Sequence, residues 1–180
     1  MVEKSSEAII AQFVESGMLT GAIVETVEKN PEALNVALTK ATAGDKAVLF
    51  ARPDYVDPEL FELFLRNEKV ITNPSKEQFE YTSTGVTDAF CAIASTGSVC
   101  VSVSKNLSSQ ASFLTTKHIA VVDALTIVPR PRDVFSEIIF PEKKLNKSFT
   151  FITGPSATAD MGPLVIGVHG PGQLHIVVLE

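Results

Sequence analysis

The chain has 180 residues, a formal net charge of −6 and a mean hydropathy of +0.22. This length is enough for one domain with its own core, and a hydrophobic fraction of 45% argues against disorder. The negative charge and the lack of a basic, aromatic-rich cluster argue against a nucleic-acid partner, and no apolar run reaches the ~18 residues of a membrane span.

The N-terminus and the cysteines bear on cellular location and redox chemistry. "MVEKSSEAIIAQFVESG" lacks the basic start and unbroken apolar stretch of a signal peptide, so we expect a cytoplasmic protein. Cys91 and Cys100 lie nine residues apart in apolar surroundings, which does not match a C-x-x-C metal pair. A reducing compartment disfavours a disulfide, so buried, inert thiols are predicted, with a reactive nucleophile as the alternative.

The first 45 residues predict a helical N-terminal part. Apolar residues from Val2 to about Ser16 have helical spacing, and Gly17 stands where a helix C-cap would. "TGAIVETVEKN" is ambiguous, although its acidic and basic residues favour a helix. In "NPEALNVALTKAT", Asn30 is expected as the N-cap and Pro31 as the first helical residue.

The next segment alternates between short strands and a helix. "KAVLFARP" and "KVITNP" are short apolar runs and are predicted as strands. Between them, "DPELFELFLRNE" predicts an amphipathic helix with Asp57 as N-cap and Pro58 as its first residue. Its apolar stripe consists of Leu60, Phe61, Phe64 and Leu65. This alternation predicts an α/β fold with parallel strands.

The second half of the chain adds more β structure. "AFCAIASTGSVCVSVS" holds two β-prone runs around a turn at residues 95–98 and predicts a β-hairpin. "HIAVVDA", "FTFITG" and "LHIVVL" predict further strands, and "PRPRDVFSEII" predicts a helix that begins near Pro131. A single α/β domain over residues 1–180, with its core at 46–180 and about six or seven strands, accounts for the whole chain.

The loop at residues 153–172, here named the terminal loop, is the first candidate site. A loop after a strand of an α/β sheet is expected near the carboxyl edge, where ligands usually bind. Its glycines let backbone amides approach an anion, and Ser156 and Thr158 add hydroxyl donors. Asp160 and His169 are expected as an acid–base or orienting pair. The alternative is that the glycines only form turns and the hydroxyls only cap a short helix.

Other candidate sites are weaker. The turn "STGS" could present amides to a ligand, but such turns more often only reverse the chain. His118 and His175 are expected as hydrogen-bonded structural residues, and the three histidines lack the spacing of a zinc site, so no metal is predicted. The terminal loop has neither a Walker sequence nor G-x-G-x-x-G after a first strand, and the chain has no G-x-S-x-G elbow.

Four segments together resemble the LUD domain family, the lactate utilisation domain found in lactate utilisation protein C. They are "GVTDAFCAIASTGSVCVS", "KHIAVVDALTIVPRPRDVF", "FITGPSATADM" and "LVIGVHGPGQLHIVVL", and the resemblance covers about residues 70–180. It implies a Rossmann-like three-layer core with an added hairpin, similar to the ribose-phosphate isomerase, glucosamine-phosphate isomerase and CoA-transferase group. It also implies a role in oxidising L-lactate to pyruvate beside iron–sulfur partner subunits.

Carried over to this chain, the family's motifs mark a set of candidate ligand-binding positions. They are Thr96, Gly97, His118, Thr153, Gly154, Pro155, Ser156, Thr158, Asp160, Gly167, His169, Gly170 and Pro171. Three positions depart from the family's usual charged residues: Ser95 and Gly162 stand where a Glu is usual, and Ala157 where a basic residue is usual. A site that lacks these charges can still bind a small ligand but is a poorer acid–base catalyst.

Two functions follow as alternatives. The first is an accessory subunit of a lactate-oxidising complex that carries no cluster, since two cysteines cannot ligate a four-cysteine cluster. The second is a stand-alone binder or enzyme that acts on a small phosphorylated or acyl ligand of the CoA type. A small anionic ligand is a candidate partner, and a third interpretation is a self-associating structural domain. Whether the chain is an enzyme, which cofactor it uses and whether it forms a homo-oligomer are left open by the sequence.

Overall fold

A computed structural model of the protein describes residues 2–103, 107–135, 148–160 and 162–180. Its strands are β1 (Ile23–Val27), β2 (Val48–Phe50), β3 (Val70–Ile71), β4 (Thr84–Asp88), β5 (Cys91–Ile93), β6 (Ser98–Val103), β7 (Lys117–Asp123), β8 (Ile127–Val128), β9 (Ser148–Thr153), β10 (Ala157–Thr158), β11 (Val165–Ile166) and β12 (Gln173–Leu179). Its α-helices are α1 (Val2–Leu19), α2 (Pro31–Ala41), α3 (Glu62–Leu65), α4 (Lys76–Tyr81) and α5 (Ser108–Phe113), and 3₁₀-helices cover Pro58–Phe61, Ala124–Thr126 and Pro131–Phe135. None of the helices in these ranges has the length and apolar character that a membrane crossing requires.

Six strands form one parallel sheet in the order β1-β12-β7-β4-β2-β3. Alternate residues of the central strand β7 point to opposite faces, as strand geometry requires. Ile119 and Val121 pack against α2 and the helical segment at residues 58–65, whereas Ala120 and Val122 pack against α1 and a second sheet. The predicted α/β class with parallel strands is confirmed, and both faces of the sheet are buried.

The second sheet has four strands in the order β8-β5-β6-β9. Strands β5 and β6 form the predicted antiparallel hairpin, in which Cys91 pairs with Cys100 and Ile93 with Ser98. Strand β9 pairs antiparallel with the other edge of β6. The hairpin is therefore the centre of a separate sheet that packs on the parallel one, with strands β10 and β11 as a further short pair.

Helix capping follows the sequence closely. Asn30 caps α2 by accepting a hydrogen bond from the backbone of Ala33, and Pro31 is the first helical residue, as predicted. Asp57 likewise accepts from the backbone of Glu59, but the first turn after it is a 3₁₀-helix rather than an α-helix. Leu65, expected in the buried stripe, is 38% exposed.

The N-terminal part differs from the prediction in two places. "TGAIVETVEKN" contains strand β1, because Val24 packs on the core beneath α1 and Glu25 is hydrogen-bonded to His175 of the neighbouring strand. Helix α1 continues past Gly17 to Leu19, and the residue with positive φ after it is Gly21. The part before residue 46 is therefore not purely helical, since it supplies an edge strand of the core sheet.

Two further predictions change in the second half. The described residues contain twelve strands rather than six or seven, because several strands of two or three residues are too short to stand out in the sequence. The helix predicted from Pro131 is a 3₁₀-helix over Pro131–Phe135, and the rest of that prediction lies outside the described residues.

Helix α1 meets the hairpin turn at two glycines. A Cβ on Gly97 would lie 2.3 Å from the backbone nitrogen of Gly17, and Gly97 has a φ of +64°. A side chain on Gly17 would in turn lie 2.8 Å from Val24 Cγ2. The close approach of the two backbones docks the second sheet on α1, so packing explains why this candidate site position is a glycine.

We predict that Gly97→Ala lowers the free energy of unfolding by about 3 kcal/mol, because overpacking adds to the ~1–2 kcal/mol cost of a left-handed backbone. Gly44→Ala is the matched control, since Gly44 has a φ of +84° with no atom within 4 Å of its Cβ position. Gly44→Ala should lose only the ~1–2 kcal/mol that the left-handed backbone costs a residue with a side chain. Urea denaturation measures both values, and equal losses would contradict the close contact between the turn and α1.

Candidate ligand-binding cleft

The terminal loop lies at the amino edge of the parallel sheet. It follows β9, which belongs to the second sheet, and it leads into the first residue of β12. Because the six strands are parallel, the segments that precede β2, β4 and β7 meet at the same edge. The expected position at the carboxyl edge is therefore wrong, since the strand before the loop is not part of the parallel sheet.

At the carboxyl end of β4, Asp88 has a structural role. Its Oδ2 accepts hydrogen bonds from the backbone N–H groups of Asp54, Tyr55 and Val56 at 2.8, 2.6 and 3.1 Å. Burial raises the pKa of this carboxyl above its ordinary value, while the three N–H donors act in the opposite direction. Asp88 therefore anchors the 54–56 loop after β2, and its Oδ2 is already occupied by backbone donors.

A cavity of about 330 Å³, here named the inner chamber, lies beneath the terminal loop. Its lining consists of Ser112, Phe113, His118, residues 151–157, His169, Gly170, Pro171 and Leu174. Eight candidates from the sequence therefore meet in one place: His118, Thr153, Gly154, Pro155, Ser156, His169, Gly170 and Pro171. The volume lies at the low end of the ~300–1,000 Å³ typical of ligand pockets.

His118 is the buried polar group of this chamber. It lies at the amino end of β7, is fully buried, and its Nε2 is 2.9 Å from the hydroxyl of Thr87 on β4. Burial lowers the pKa of His118 to about 3, so the ring is neutral at pH 7. Its Nδ1 has no hydrogen-bond partner among the described residues. The expectation of a hydrogen-bonded histidine is thus met at one ring nitrogen and not at the other.

The two halves of the terminal loop are joined by backbone hydrogen bonds. The Ser156 amide donates to the carbonyl of Pro171, and the Gly167 amide donates to the carbonyl of Ser156, both at 2.8 Å. Gly154 has a φ of +66°, and a Cβ there would lie 2.4 Å from the carbonyl oxygen of Thr20. The loop is thus fixed to the turn after α1, and its residues 154–156 and 169–171 form one wall of the chamber.

Thr96 supports the chamber from outside. Its hydroxyl lies 2.7 Å from that of Ser98, which lies 2.7 Å from the hydroxyl of Thr153 in the chamber wall. Thr96 and Gly97 are not among the described residues that line the chamber. The hairpin turn therefore positions Thr153 through this chain of hydroxyl groups.

The predicted pair of Asp160 and His169 is not formed. Asp160 lies in the exposed turn between β10 and β11, whereas His169 follows β11. No hydrogen bond or ion pair between described residues joins them, and Asp160 lines neither this chamber nor its neighbour. The antiparallel pairing of β10 with β11 separates the two residues, because Asp160 is in the connecting turn. Thr158 pairs with Val165 inside that hairpin.

A larger cleft of about 930 Å³, here named the outer chamber, adjoins the inner one. The two share Phe113, His169 and Gly170, and Gly167 lines the outer chamber alone. On its floor, Lys117 forms an ion pair of 2.8 Å with Asp45, which also accepts a hydrogen bond from Thr84. Lys117 is the single lysine or arginine among the described lining residues, and this ion pair neutralises it.

Sequence reasoning missed several residues of this cleft. Thr84 of the outer chamber and Thr87, which contacts His118 but does not line the cleft, lie on β4, whose sequence "TGVTD" is poor in strand-forming apolar residues. Phe113 ends a helix that was not predicted. Their position in the chain could have revealed Asp45 and Lys117. Both stand just before or at the start of predicted strands, and parallel strands all begin at one edge of the sheet.

The cysteines lie where the sequence predicts, inside the second sheet. Cys91 and Cys100 are both buried and free, and their mutual hydrogen bond together with burial raises the pKa of the Cys91 thiol. The prediction of buried thiols is confirmed. Within residues 2–103, 107–135, 148–160 and 162–180, no group of three or more histidine, cysteine or acidic side chains is placed to hold a metal ion.

The fold and the site together define a class: an α/β protein with a parallel sheet, an attached antiparallel sheet and a cleft formed by a C-terminal glycine-rich loop. The profile of the LUD domain family matches residues 7–179. The chain therefore belongs to the LUD domain family, and the match extends well beyond the segments that carry the resemblance in sequence.

Lactate utilization protein C from several bacteria is similar to this chain. The protein from Anoxybacillus flavithermus is 30% identical over 162 residues, which are 85% of this chain and 73% of that protein. The protein from Bacillus subtilis is 35% identical over 105 residues, which are 56% of this chain and 44% of that protein. The match thus covers less than half of the second relative.

One crystal structure has the same fold. It is that of a DUF162 family protein from Deinococcus radiodurans, which is 22% identical, has a TM-score of 0.72 and covers 97% of this chain and 98% of that chain. At this identity the likeness shows the fold alone.

The buried His118 predicts a pH-dependent stability. The folded state holds the pKa of His118 at about 3, below its ordinary value of 6.5, so the unfolded chain binds the proton more readily between these values. Stability is therefore lost as pH falls below 6.5. Between pH 7 and pH 5 the loss from this group should be about 2 kcal/mol, and it should vanish in His118→Gln.

His175→Gln is the comparison for that measurement. Burial also lowers the pKa of His175, but the coulombic effect of Glu25 opposes it, so this substitution should change the pH dependence less. Urea unfolding at both pH values gives the slopes. If His118→Gln keeps the slope of the parent protein, the buried neutral imidazole is not responsible.

Proposed function

We propose that this chain is a component, without an iron–sulfur cluster of its own, of a system that oxidises L-lactate to pyruvate. In this proposal it binds a small organic acid in the cleft at the amino edge. The observation that carries it is the convergence of the family's motif residues, from "FITGPS", "GVHGP" and "KHI", on the inner chamber. Family membership supports the lactate role, since similar proteins bear the name lactate utilization protein C.

The cysteines support the proposal that this chain carries no iron–sulfur cluster of its own. A four-cysteine cluster needs four thiolates, and this chain has two cysteines, which pair across β5 and β6 inside the second sheet. Their burial and mutual hydrogen bond make them poor ligands. The redox cluster would therefore belong to partner subunits, as the family resemblance implies.

Of the candidate acid–base groups, Asp160 and His118 favour binding over catalysis, and His169 is the remaining imidazole in the cleft. Asp160 is outside the cleft, and a histidine whose pKa is about 3 is a weak base at pH 7. Of the three positions where the family usually has a charge, only Ala157 lines the inner chamber. What the chamber offers is hydrogen-bond donors from hydroxyls, an imidazole and the loop backbone.

The alternative function, a stand-alone binder or enzyme for an acyl ligand, is favoured by the outer chamber. Its volume of about 930 Å³ suits a larger molecule, and exposed apolar side chains of Phe113, Leu114, Ile166 and Val168 stand around it. A phosphorylated ligand fits less well, because Lys117 is already paired with Asp45. This alternative also draws on the implied likeness to the ribose-phosphate isomerase, glucosamine-phosphate isomerase and CoA-transferase group.

We predict that deleting the gene in its native cell abolishes growth on L-lactate but not on glucose, and that a plasmid copy restores it. We also predict that the tagged protein copurifies with iron–sulfur subunits, detected by their iron content and mass spectra. Undiminished growth on lactate, with no iron–sulfur protein bound, would contradict the proposal and favour the stand-alone alternative.

A further inference from the structure

The tautomer of His118 can be assigned from its surroundings. Thr87 is fully buried, and its hydroxyl has His118 Nε2 as its sole hydrogen-bond partner among the described residues. Donation of the hydroxyl proton to Nε2 leaves one buried group unpaired, the Nδ1–H, whereas donation from Nε2–H to the hydroxyl leaves two unpaired, the hydroxyl proton and the Nδ1 lone pair. The first arrangement is therefore favoured. A neutral ring that accepts at Nε2 carries its proton on Nδ1.

The Nδ1–H group is a buried donor that still needs an acceptor. No described side chain or backbone group accepts this proton, and buried donors in folded proteins nearly always have a partner. His118 lines the inner chamber, which is the adjoining space that can hold a ligand. The missing acceptor is therefore expected to enter from the chamber. Because Nδ1 is itself buried, the side chains beside it must shift slightly when a ligand binds.

The rest of the lining limits what that acceptor can be. Apolar walls come from Phe113, Ile152 and Leu174, and the hydroxyls of Thr153 and Ser156 add polar groups. His169 is the other ionisable residue among the described lining residues, and none of them is a lysine or arginine. No lysine or arginine of the lining neutralises an anion here, so two charges of a phosphate cost more to bury than the single charge of a carboxylate. A small molecule with one carboxylate and further oxygens also matches the volume and the donors.

We propose that the inner chamber binds a small monocarboxylic acid of the 2-hydroxy- or 2-oxo-acid class, one oxygen of which accepts the Nδ1–H of His118. The acid class rests on the proposed function, while the acceptor at Nδ1 rests on the geometry alone. Thr87 is then a positioning residue, because it fixes the tautomer that offers a donor to the chamber and does not line the chamber itself.

Calorimetric titration of the purified full chain with pyruvate and with L-lactate tests the site, and inorganic phosphate is the comparison ligand. In His118→Gln the amide can still meet Thr87, but the donor at the Nδ1 position is gone, so affinity should fall about tenfold. In His118→Asn an amide donor stands near the Nδ1 position, so affinity should fall less. His175→Gln, on the opposite face of the sheet, should bind as the parent does.

Histidine ¹⁵N NMR tests the tautomer without any ligand. We expect one neutral imidazole protonated at Nδ1, whose signal disappears in His118→Gln. Thr87→Val, which removes the hydroxyl at nearly constant volume, should mix the two tautomers and weaken pyruvate binding about fivefold. An Nε2-protonated ring in the parent protein overturns the proposal.

The titrations decide whether the inner chamber binds the proposed acids through His118. Three results overturn the proposal. Both acids fail to bind, which leaves only water as the acceptor; phosphate binds more tightly than the acids; or His118→Gln and His118→Asn lose equal affinity for pyruvate. These outcomes are separate from the growth test. Normal growth on lactate with His118-dependent acid binding would refute the proposed function alone, and a lactate defect with His118-independent binding would refute this inference alone.

Discussion

The pairing of β7 with β12 on one side and with β4 on the other sets the position of every other part of the molecule. His118 stands opposite Leu174 in one register and opposite Gly85 in the other. This register places the ring of His118 beside Thr87 and above the strand that follows the terminal loop. Because the neighbouring strands are parallel, their preceding loops gather at the amino edge and form both chambers.

Close backbone contacts hold the cleft in shape. A Cβ on Gly85 would lie 2.0 Å from the carbonyl oxygen of Ala111, so α5 packs directly on β4 and brings Phe113 to the wall between the chambers. Gly154 meets the turn after α1 in a similar way. Binding residues from distant parts of the sequence are thus carried on rigid elements, which lowers the cost of ordering them when a ligand binds.

The sequence predicts well those elements that local chemistry determines. The cap and first residue of α2 follow from Asn30 and Pro31, and the hairpin follows from two β-prone runs around Gly97. Strand β1 was missed because it is an edge strand, whose Glu25 serves a tertiary contact with His175 rather than a helix surface. Strand β4 was missed because its glycine and threonines suit contacts with α5 and His118, which only the fold reveals.

Eight of the candidate residues named from the sequence line one cavity, but the location of that cavity in the fold was not predicted. The "GPS" and "GVHGP" segments do converge, with His118 between them and the core. The predicted position of these segments at the carboxyl edge of the sheet was wrong because the strand before the loop pairs with β6. Strand pairing cannot be read from a single run of residues. The assumed partner of His169 was wrong because a short hairpin places Asp160 in an exposed turn.

The central claim is that the amino-edge inner chamber is the place where this LUD domain binds a small acid. A crystal structure of the protein grown with pyruvate tests it most directly. We expect pyruvate in the inner chamber with an oxygen within hydrogen-bond distance of His118 Nδ1. Pyruvate bound instead at the carboxyl edge near Asp88, with the inner chamber holding only water, would contradict it.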